Sequence, residues 1–233
     1  MHSYPVEVQH ALKGARALVT GVTGFIGWHL AQALACLGVT VDGLSRTTRA
    51  NSIPPRVNPL QVDLMDRDAV KALATRGRYD IIFHLAGLVD ARPDRSLVLP
   101  MFDANLATTV NLMAVANEMR CARFVLVGSS EDFRSPRDGT CVSPYGAAKA
   151  AAHLYARLFH GLYLLPVVML RLFMTYGPRQ SMSKLVPFTI RKFLLGDIPR
   201  LSSGKKICDA IYVDDAVRGI LAAAVVDDRA RGG

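Results

Sequence analysis

The chain has 233 residues, 51% of them hydrophobic, and a formal net charge of +9. That suffices for one domain of generous size with one large core. The basic residues, among them Arg46, Arg49, Arg76, Arg78, Arg134, Arg137, Lys205 and Lys206, are scattered without interleaved aromatics. The pattern argues against nucleic acid and suits an anionic nucleotide ligand. Cys36, Cys121, Cys141 and Cys208 lie far apart, with neither metal nor redox spacing, so reduced, buried thiols in a cytoplasmic protein and no bound metal are expected. The start, Met1 to Glu7, is not a signal peptide. The most apolar stretch, Leu162 to Leu170, contains Pro166 and is too short to span a bilayer, so no membrane partner is expected.

In chain order, Ala17-Leu18-Val19-Thr20 reads as a strand that runs into Gly21, Gly24 and Gly27. Phe25, Leu30, Ala33, Leu34 and Leu37 then give a helical pattern. Strand, glycine turn, helix is the context of a nucleotide-binding loop. Glycines admit a pyrophosphate close to backbone N–H groups, and the helix start adds partial positive charge. Val39 to Leu44 reads as a second strand and Arg56 to Val62 as a third. Asp63-Leu64-Met65-Asp66 then caps a helix that runs to about Arg76. Asp80 to Leu85 is a nearly continuous apolar run, as in a strand buried on both faces. Asp103 to Met119 has helical period, Arg123 to Val127 is a strand, Pro144 to Phe159 a helix, and Pro166 to Leu172 a strand. Alternation of this kind predicts a doubly wound α/β sheet with ligands beyond the carboxyl ends of the strands. Past Tyr176-Gly177-Pro178 the pattern changes: Leu185 to Leu195 looks helical, Ser202 to Lys206 is a loop, and Tyr212-Val213-Asp214-Asp215 starts a last helix. The expected division is a nucleotide-binding unit over residues 1–175 and a partial, interleaved substrate region over 176–233.

Two stretches carry chemistry. Val127-Gly128-Ser129-Ser130-Glu131 ends a buried strand, and Ser143-Pro144-Tyr145-Gly146-Ala147-Ala148-Lys149 opens a helix. Tyr145 and Lys149 are four residues apart and share one helix face. A tyrosine pKa near 10 is too high for a base at neutral pH; a neighbouring ammonium and a positive nicotinamide ring favour the phenolate. That phenolate would take a proton from a sugar hydroxyl while hydride leaves the same carbon. Ser129 would hydrogen-bond that oxygen and steady its charge. His84 reads as a core residue.

The T-G-x-x-G-F-I-G spacing, the serines of the later strand and Tyr145-x-x-x-Lys149 together resemble the extended short-chain dehydrogenase/reductase family of nucleotide-sugar epimerases and dehydratases. Further points of likeness are Asp63-Leu64, His84-Leu85-Ala86-Gly87, Asn105, Arg171-Leu172-Phe173, Tyr176-Gly177-Pro178 and Tyr212-Val213-Asp214-Asp215. The resemblance spans almost the whole chain. It implies a Rossmann-type fold, a catalytic trio of Ser129, Tyr145 and Lys149, and action on a nucleotide-diphosphate sugar through a 4-keto sugar. It implies a cofactor site from Gly21, Thr23, Gly24, Phe25, Ile26, Gly27, Ser45, Arg46, Asp63, Leu64, Leu85, Ala86, Gly87, Asn105, Tyr145 and Lys149. It also implies a homodimer built from the helix of Asp103 to Met119 and the helix that carries Tyr145. Met113, Val115, Ala116 and Ala147 to Ala152 supply its apolar surplus. Gly128-Ser129-Ser130-Glu131 is similar to the motif of GDP-mannose 4,6-dehydratases and GDP-6-deoxy-hexose 4-reductases. In a dehydratase Glu131 would remove the C5 proton; in a reductase or epimerase it would shape the pocket. A non-catalytic NAD(P)-binding sensor or assembly protein on the same fold is the rival reading, and the trio discriminates against it.

The sequence also departs from the resemblance. Asp132-Phe133-Arg134 stands where members often carry Val-Tyr-Gly, Met174 replaces an asparagine, and Cys208 replaces an arginine. Family chains usually continue past the last helix, which predicts a shortened substrate region. The cofactor turns on where the second strand ends. If it stops at Val41, Asp42 is the acid that binds the ribose of NAD; if it runs through Leu44, Ser45 and Arg46 stand at the tip, with Arg49 nearby. Ordinary strand length and the count from Gly21 favour the second, hence NADP over NAD. A planar, always charged arginine holds a 2′-phosphate that a carboxylate would repel.

Overall fold

The structure is a computed structural model that describes residues 4–47, 52–133, 141–201 and 209–226; Arg49, Arg134, Arg137, Lys205, Lys206 and Cys208 lie outside these. The elements run α1 (Val6–Leu12), β1 (Arg16–Thr20), α2 (Phe25–Cys36), β2 (Thr40–Ser45), β3 (Val57–Gln61), α3 (Arg67–Lys71) and β4 (Ile81–His84). Then come α4 (Val98–Met101), a π-helical turn over Phe102–Ala107, α5 (Thr108–Glu118), β5 (Arg123–Ser129), α6 (Pro144–Tyr163) and β6 (Val167–Leu172). Last are β7 (Met174–Tyr176), α7 (Leu185–Leu194), β8 (Ala210–Tyr212) and α8 (Val213–Val225).

The main sheet is parallel with order β3-β2-β1-β4-β5-β6. This is the doubly wound Rossmann order: the chain starts at the middle, winds outward one way, then returns to wind the other. Because side chains alternate along a strand, both faces of the sheet need apolar cover. Val19 of β1, Phe83 of β4 and Val125 of β5 face Leu30 and Leu34 of α2 and Val217, Ile220 and Leu221 of α8. Leu18, Ile82 and Phe124 face the opposite way, against Leu112 of α5 and Phe159 of α6. The last helix thus packs into the same core as β1, β4, β5 and α2.

Several sequence expectations change. α1 was not anticipated; its Val8 and Leu12 are buried in the core. The helix expected through Arg76 is shorter: Asp66 caps it by accepting from the Asp68 and Ala69 N–H groups, both at 3.0 Å, and it ends at Lys71. Tyr212 closes β8, which pairs with β7 in a separate two-stranded sheet, and is also the cap of the last helix, which starts at Val213 as expected. Met113, Val115 and Ala116 are fully or almost fully buried, so their apolar surplus packs the core and offers nothing to a partner. Cys121 is buried, which pushes its thiol up to about 12, but Cys36 and Cys141 are exposed and are not core thiols.

The segment after β6 is tied to the rest near the glycine loop. The Arg179 guanidinium stacks 4.2 Å over the Trp28 ring, and His29 Nε2 donates to the Pro178 carbonyl at 3.0 Å.

Candidate active site

β1 delivers the chain to Gly21, whose φ of +72° an L side chain rarely adopts and whose Cβ would press on the Ala86 backbone at 2.9 Å. Gly27 lies one turn into α2, and a Cβ there would land on the Gly21 carbonyl. The two glycines let helix, turn and β4 end come into backbone contact. The first turn of α2 has no side-chain cap and no acidic residue. Its backbone N–H groups and dipole are therefore arranged for an anion.

A cavity of about 590 Å3 opens there, between the ends of β1 and β4 where the winding reverses. Gly21, Thr23 and Gly24 line it from the loop, Ser45 and Arg46 from the end of β2, Asp63 and Leu64 beyond β3, and Leu85, Ala86 and Gly87 beyond β4. Ten of the residues expected to bind cofactor therefore meet at one cavity. Phe25 and Ile26 are not in its lining: they open α2, and Ile26 packs partly into the core. Gly27 acts through packing. Asn105 is buried behind Gly87 in the π-helical turn; its side-chain N–H2 donates to the Leu88 and Met101 carbonyls at 3.0 and 3.3 Å. Glycine loop, uncapped helix start and a cavity of this volume lined from the ends of four strands fit a dinucleotide.

β2 runs through Ser45, so Asp42 lies in mid-strand. Its carboxylate is held by Tyr79 at 2.7 Å, Arg16 at 2.8 Å and Asn58 at 3.0 Å. Burial alone would raise its pKa, but these three hydrogen bonds outweigh it and hold the carboxyl below its usual range. Asp42 is engaged away from the cavity, and Ser45 and Arg46 stand at the tip.

The second cluster lies past the end of β5. Ser143 caps α6 by accepting from the Gly146 N–H at 3.1 Å, and Pro144 occupies the first turn. A Cβ on Gly146 would meet the Glu131 carbonyl at 2.9 Å, so the Ser130–Phe133 turn lies against the start of α6. Ser129, Tyr145 and Lys149 are all buried. The Ser129 side chain accepts from the Glu131 N–H at 3.2 Å. The Lys149 ammonium donates to the Val127 carbonyl at 3.1 Å. Burial draws Lys149 down to about 8, against the pull of the Asp132 carboxylate. Tyr145 departs from the sequence expectation. Burial raises its pKa, the Ser129 hydrogen bond lowers it, and Asp132 and Glu131 raise it, for a net rise. These residues by themselves therefore do not favour the phenolate that the sequence predicts.

His84 does more than fill the core. Thr109 donates to the Asn105 carbonyl at 2.6 Å, so the His84 Nε2–H donates to Thr109 at 2.9 Å. Nδ1 then accepts from Thr20 at 2.8 Å, and the Thr20 oxygen accepts from the Leu85 and Ala86 N–H groups at 3.2 and 3.1 Å. Burial, helped by Lys149, lowers His84 to about 3 and keeps it neutral. The relay fixes the Leu85-Ala86 wall of the cavity to β1 and to the π-helical turn. The sequence signal was a histidine closing an otherwise apolar strand opposite a threonine.

Sheet order, switch-point cavity and a Ser–Tyr–Lys cluster define a dinucleotide-dependent oxidoreductase of Rossmann type. The sequence profile of the NAD dependent epimerase/dehydratase family matches residues 17–232, and the chain belongs to that family. A dTDP-glucose 4,6-dehydratase of Actinoplanes sp. is 30% identical over 231 residues, covering 88% of this chain and 71% of the relative. A UDP-glucuronate 4-epimerase of Thermodesulfobacterium geofontis is 29% identical, covering 88% and 70%. Among solved structures, the UDP-N-acetylglucosamine 4-epimerase of Methanobrevibacter ruminantium M1, in complex with UDP-N-acetylmuramic acid, superposes with a TM-score of 0.81 at 26% identity, covering 92% of this chain and 74% of that one.

Proposed function

We propose that the chain oxidises C4 of a nucleotide-diphosphate sugar to a 4-keto sugar, as the first step of an epimerisation, dehydration or reduction. The relatives are named for nucleotide-linked sugars and for position 4. The observation that carries the reading is the buried cluster of Ser129, which ends β5, with Tyr145 and, one turn along α6, Lys149. Tyr145 takes the proton of the C4 hydroxyl, and Ser129 holds the same oxygen as its charge develops. Lys149 keeps positive charge beside both. A nicotinamide, when bound, would supply the acceptor for the C4 hydride. Glu131, whose backbone is bonded to Ser129, is within the same turn and serves as C5 base if the outcome is dehydration.

Assay of Tyr145→Phe and Glu131→Gln against a panel of nucleotide sugars tests this. Tyr145→Phe is expected to lose turnover by about 10²–10⁴-fold while still binding cofactor. Glu131→Gln is expected to stop loss of water but not C4 oxidation. A Tyr145→Phe protein with undiminished turnover would sink the reading. A wild-type chain that binds cofactor but turns over none of the panel would favour a non-catalytic sensor.

The family is NAD-dependent; the finer preference we propose is NADP. Ser45 and Arg46 at the tip of β2, and the engagement of Asp42 elsewhere, support it. Tighter binding of NAD than NADP, unaltered by Arg46→Ala, would remove it. A homodimer through α6 and the α4 segment is supported by an exposed apolar stripe: Leu154, Tyr155, Leu158 and Leu162 on one, Val98, Leu99 and Phe102 on the other. Light scattering of wild type and Leu158→Glu checks it, since a monomer mass for wild type contradicts the pairing.

A further inference from the structure

The Ser130–Phe133 turn hides an acid that the reaction above does not use. The Asp132 side chain is fully buried, and both its oxygens accept from the Ser129 N–H, at 3.2 and 3.3 Å. Its Oδ2 lies 3.2 Å from Nε2 of His153, itself almost fully buried on α6. Tyr145, Lys149 and His153 follow one another at four-residue steps along α6, so all three stand on one ridge. Gly128 makes room for the pair: a Cβ there would lie 2.6 Å from His153 Nε2 and 3.0 Å from Asp132 Oδ2. Three positions from two elements, Gly128 and Ser129 of β5 and His153 of α6, are thus fitted around one carboxylate of the turn.

We propose that Asp132 is a positioning residue of this site. Its carboxylate anchors the Ser129 backbone, and supplies the negative charge that keeps the buried Lys149 ammonium protonated. A buried ammonium without a counter-charge sheds its proton instead of paying for desolvation. The charged and titratable groups around the pair are Glu131 on the turn, Tyr145, Lys149 and His153 on α6, His84 on β4 and Arg171 on β6. His153 is drawn down to about 4 by burial first, then by Arg171 and Lys149, so it is neutral at pH 7 and does not offset the charge of Asp132. Among the described groups the Asp132 carboxylate acts to raise Lys149, while burial raises Asp132 in turn. The inference deepens the reading of Lys149 as the charged partner of Tyr145.

The test needs no substrate, which separates it from the proposed reaction. Lysine labelled with 13C at Cε is followed by NMR from pH 5 to 11, with the Lys149 signal assigned by its loss in Lys149→Met. Asp132→Asn keeps the shape and an acceptor for Ser129 but removes the charge. Its Lys149 midpoint is expected to fall by at least one pH unit, tenfold in the acid constant, while Asp132→Glu and His153→Gln stay near wild type. An unchanged or raised midpoint in Asp132→Asn overturns the proposal. Should Asp132→Asn not fold, Asp132→Ser decides by the same readout: a Lys149 midpoint at or above that of wild type overturns the proposal equally. With substrate, the alkaline limb of turnover in Asp132→Asn moves to lower pH by the same interval.

Discussion

β5 and α7 carry apolar residues of the same kind and use them in opposite ways. Phe124 of β5 is fully buried in the sheet, and every residue of that strand after Arg123 is buried. α7 has no buried residue at all; its Phe193 is 66% exposed and its Leu194 82% exposed. β6 between them is only half-buried along its length. Apolar content therefore does not locate the core; what locates it is having sheet neighbours on both sides and helices on both faces. The cofactor cavity and the Ser–Tyr–Lys cluster rest on the dense part, so their geometry does not depend on the loosely packed segment from β7 to α7.

Paired substitutions across this divide sharpen or break the contrast. The largest effect is expected from Phe124→Ala, a loss of about 3–5 kcal/mol of stability, against under about 0.5 kcal/mol for Phe193→Ala. Comparable losses in urea unfolding would mean that α7 is packed after all. Gly27→Ala comes next, at about 1–3 kcal/mol, because its methyl meets the Gly21 carbonyl, a backbone atom that cannot step aside. Gly196→Ala, in open space at φ +74°, costs about 1–2 kcal/mol from backbone strain alone. The two differ in cofactor affinity, which only Gly27→Ala is expected to weaken; equal affinities by titration would separate Gly27 from the loop's function.

The last effect is a slope. His84 and His153, both in the dense part, are held at about 3 and about 4, below the ordinary 6.5. Between those values and 6.5 the unfolded chain binds protons that the folded chain refuses. The stability these neutral rings contribute is therefore intact above pH 6.5 and is lost as the pH falls. The loss approaches about 1.4 kcal/mol per pH unit for each proton. His84→Gln should flatten that slope in a series of denaturation curves from pH 7 to 4; an unchanged slope would mean that His84 is protonated without cost.

Much of this was legible in the residues. The strand–glycine–helix context, the four-residue step from Tyr145 to Lys149 and the run of β2 through Ser45 are local features, set by spacing and strand length. What was not legible needed partners distant in sequence. The relay through His84 depends on Thr20 and Thr109, which the sheet register and α5 bring to it. Asp132 was visible only as a departure from a motif until Gly128 and His153 were seen around it. Met113, Val115 and Ala116 looked like surplus because the depth of the core on that face cannot be read from one helix. α1, β7 and β8 are too short to leave a periodic signal.

The seam between β1 and β4 sets a timetable as well as a binding site. Ala17 pairs with Val41 on one side and with Ile81 on the other, and the second pairing encloses the longest stretch of chain of any in the described sheets. Closing a longer loop costs more entropy, and distant parallel contacts are slow to form. The crevice that receives the dinucleotide is thus the joint finished late in folding. A ligand that binds there counts completed molecules and selects against half-wound ones, so during refolding its signal trails the appearance of helices.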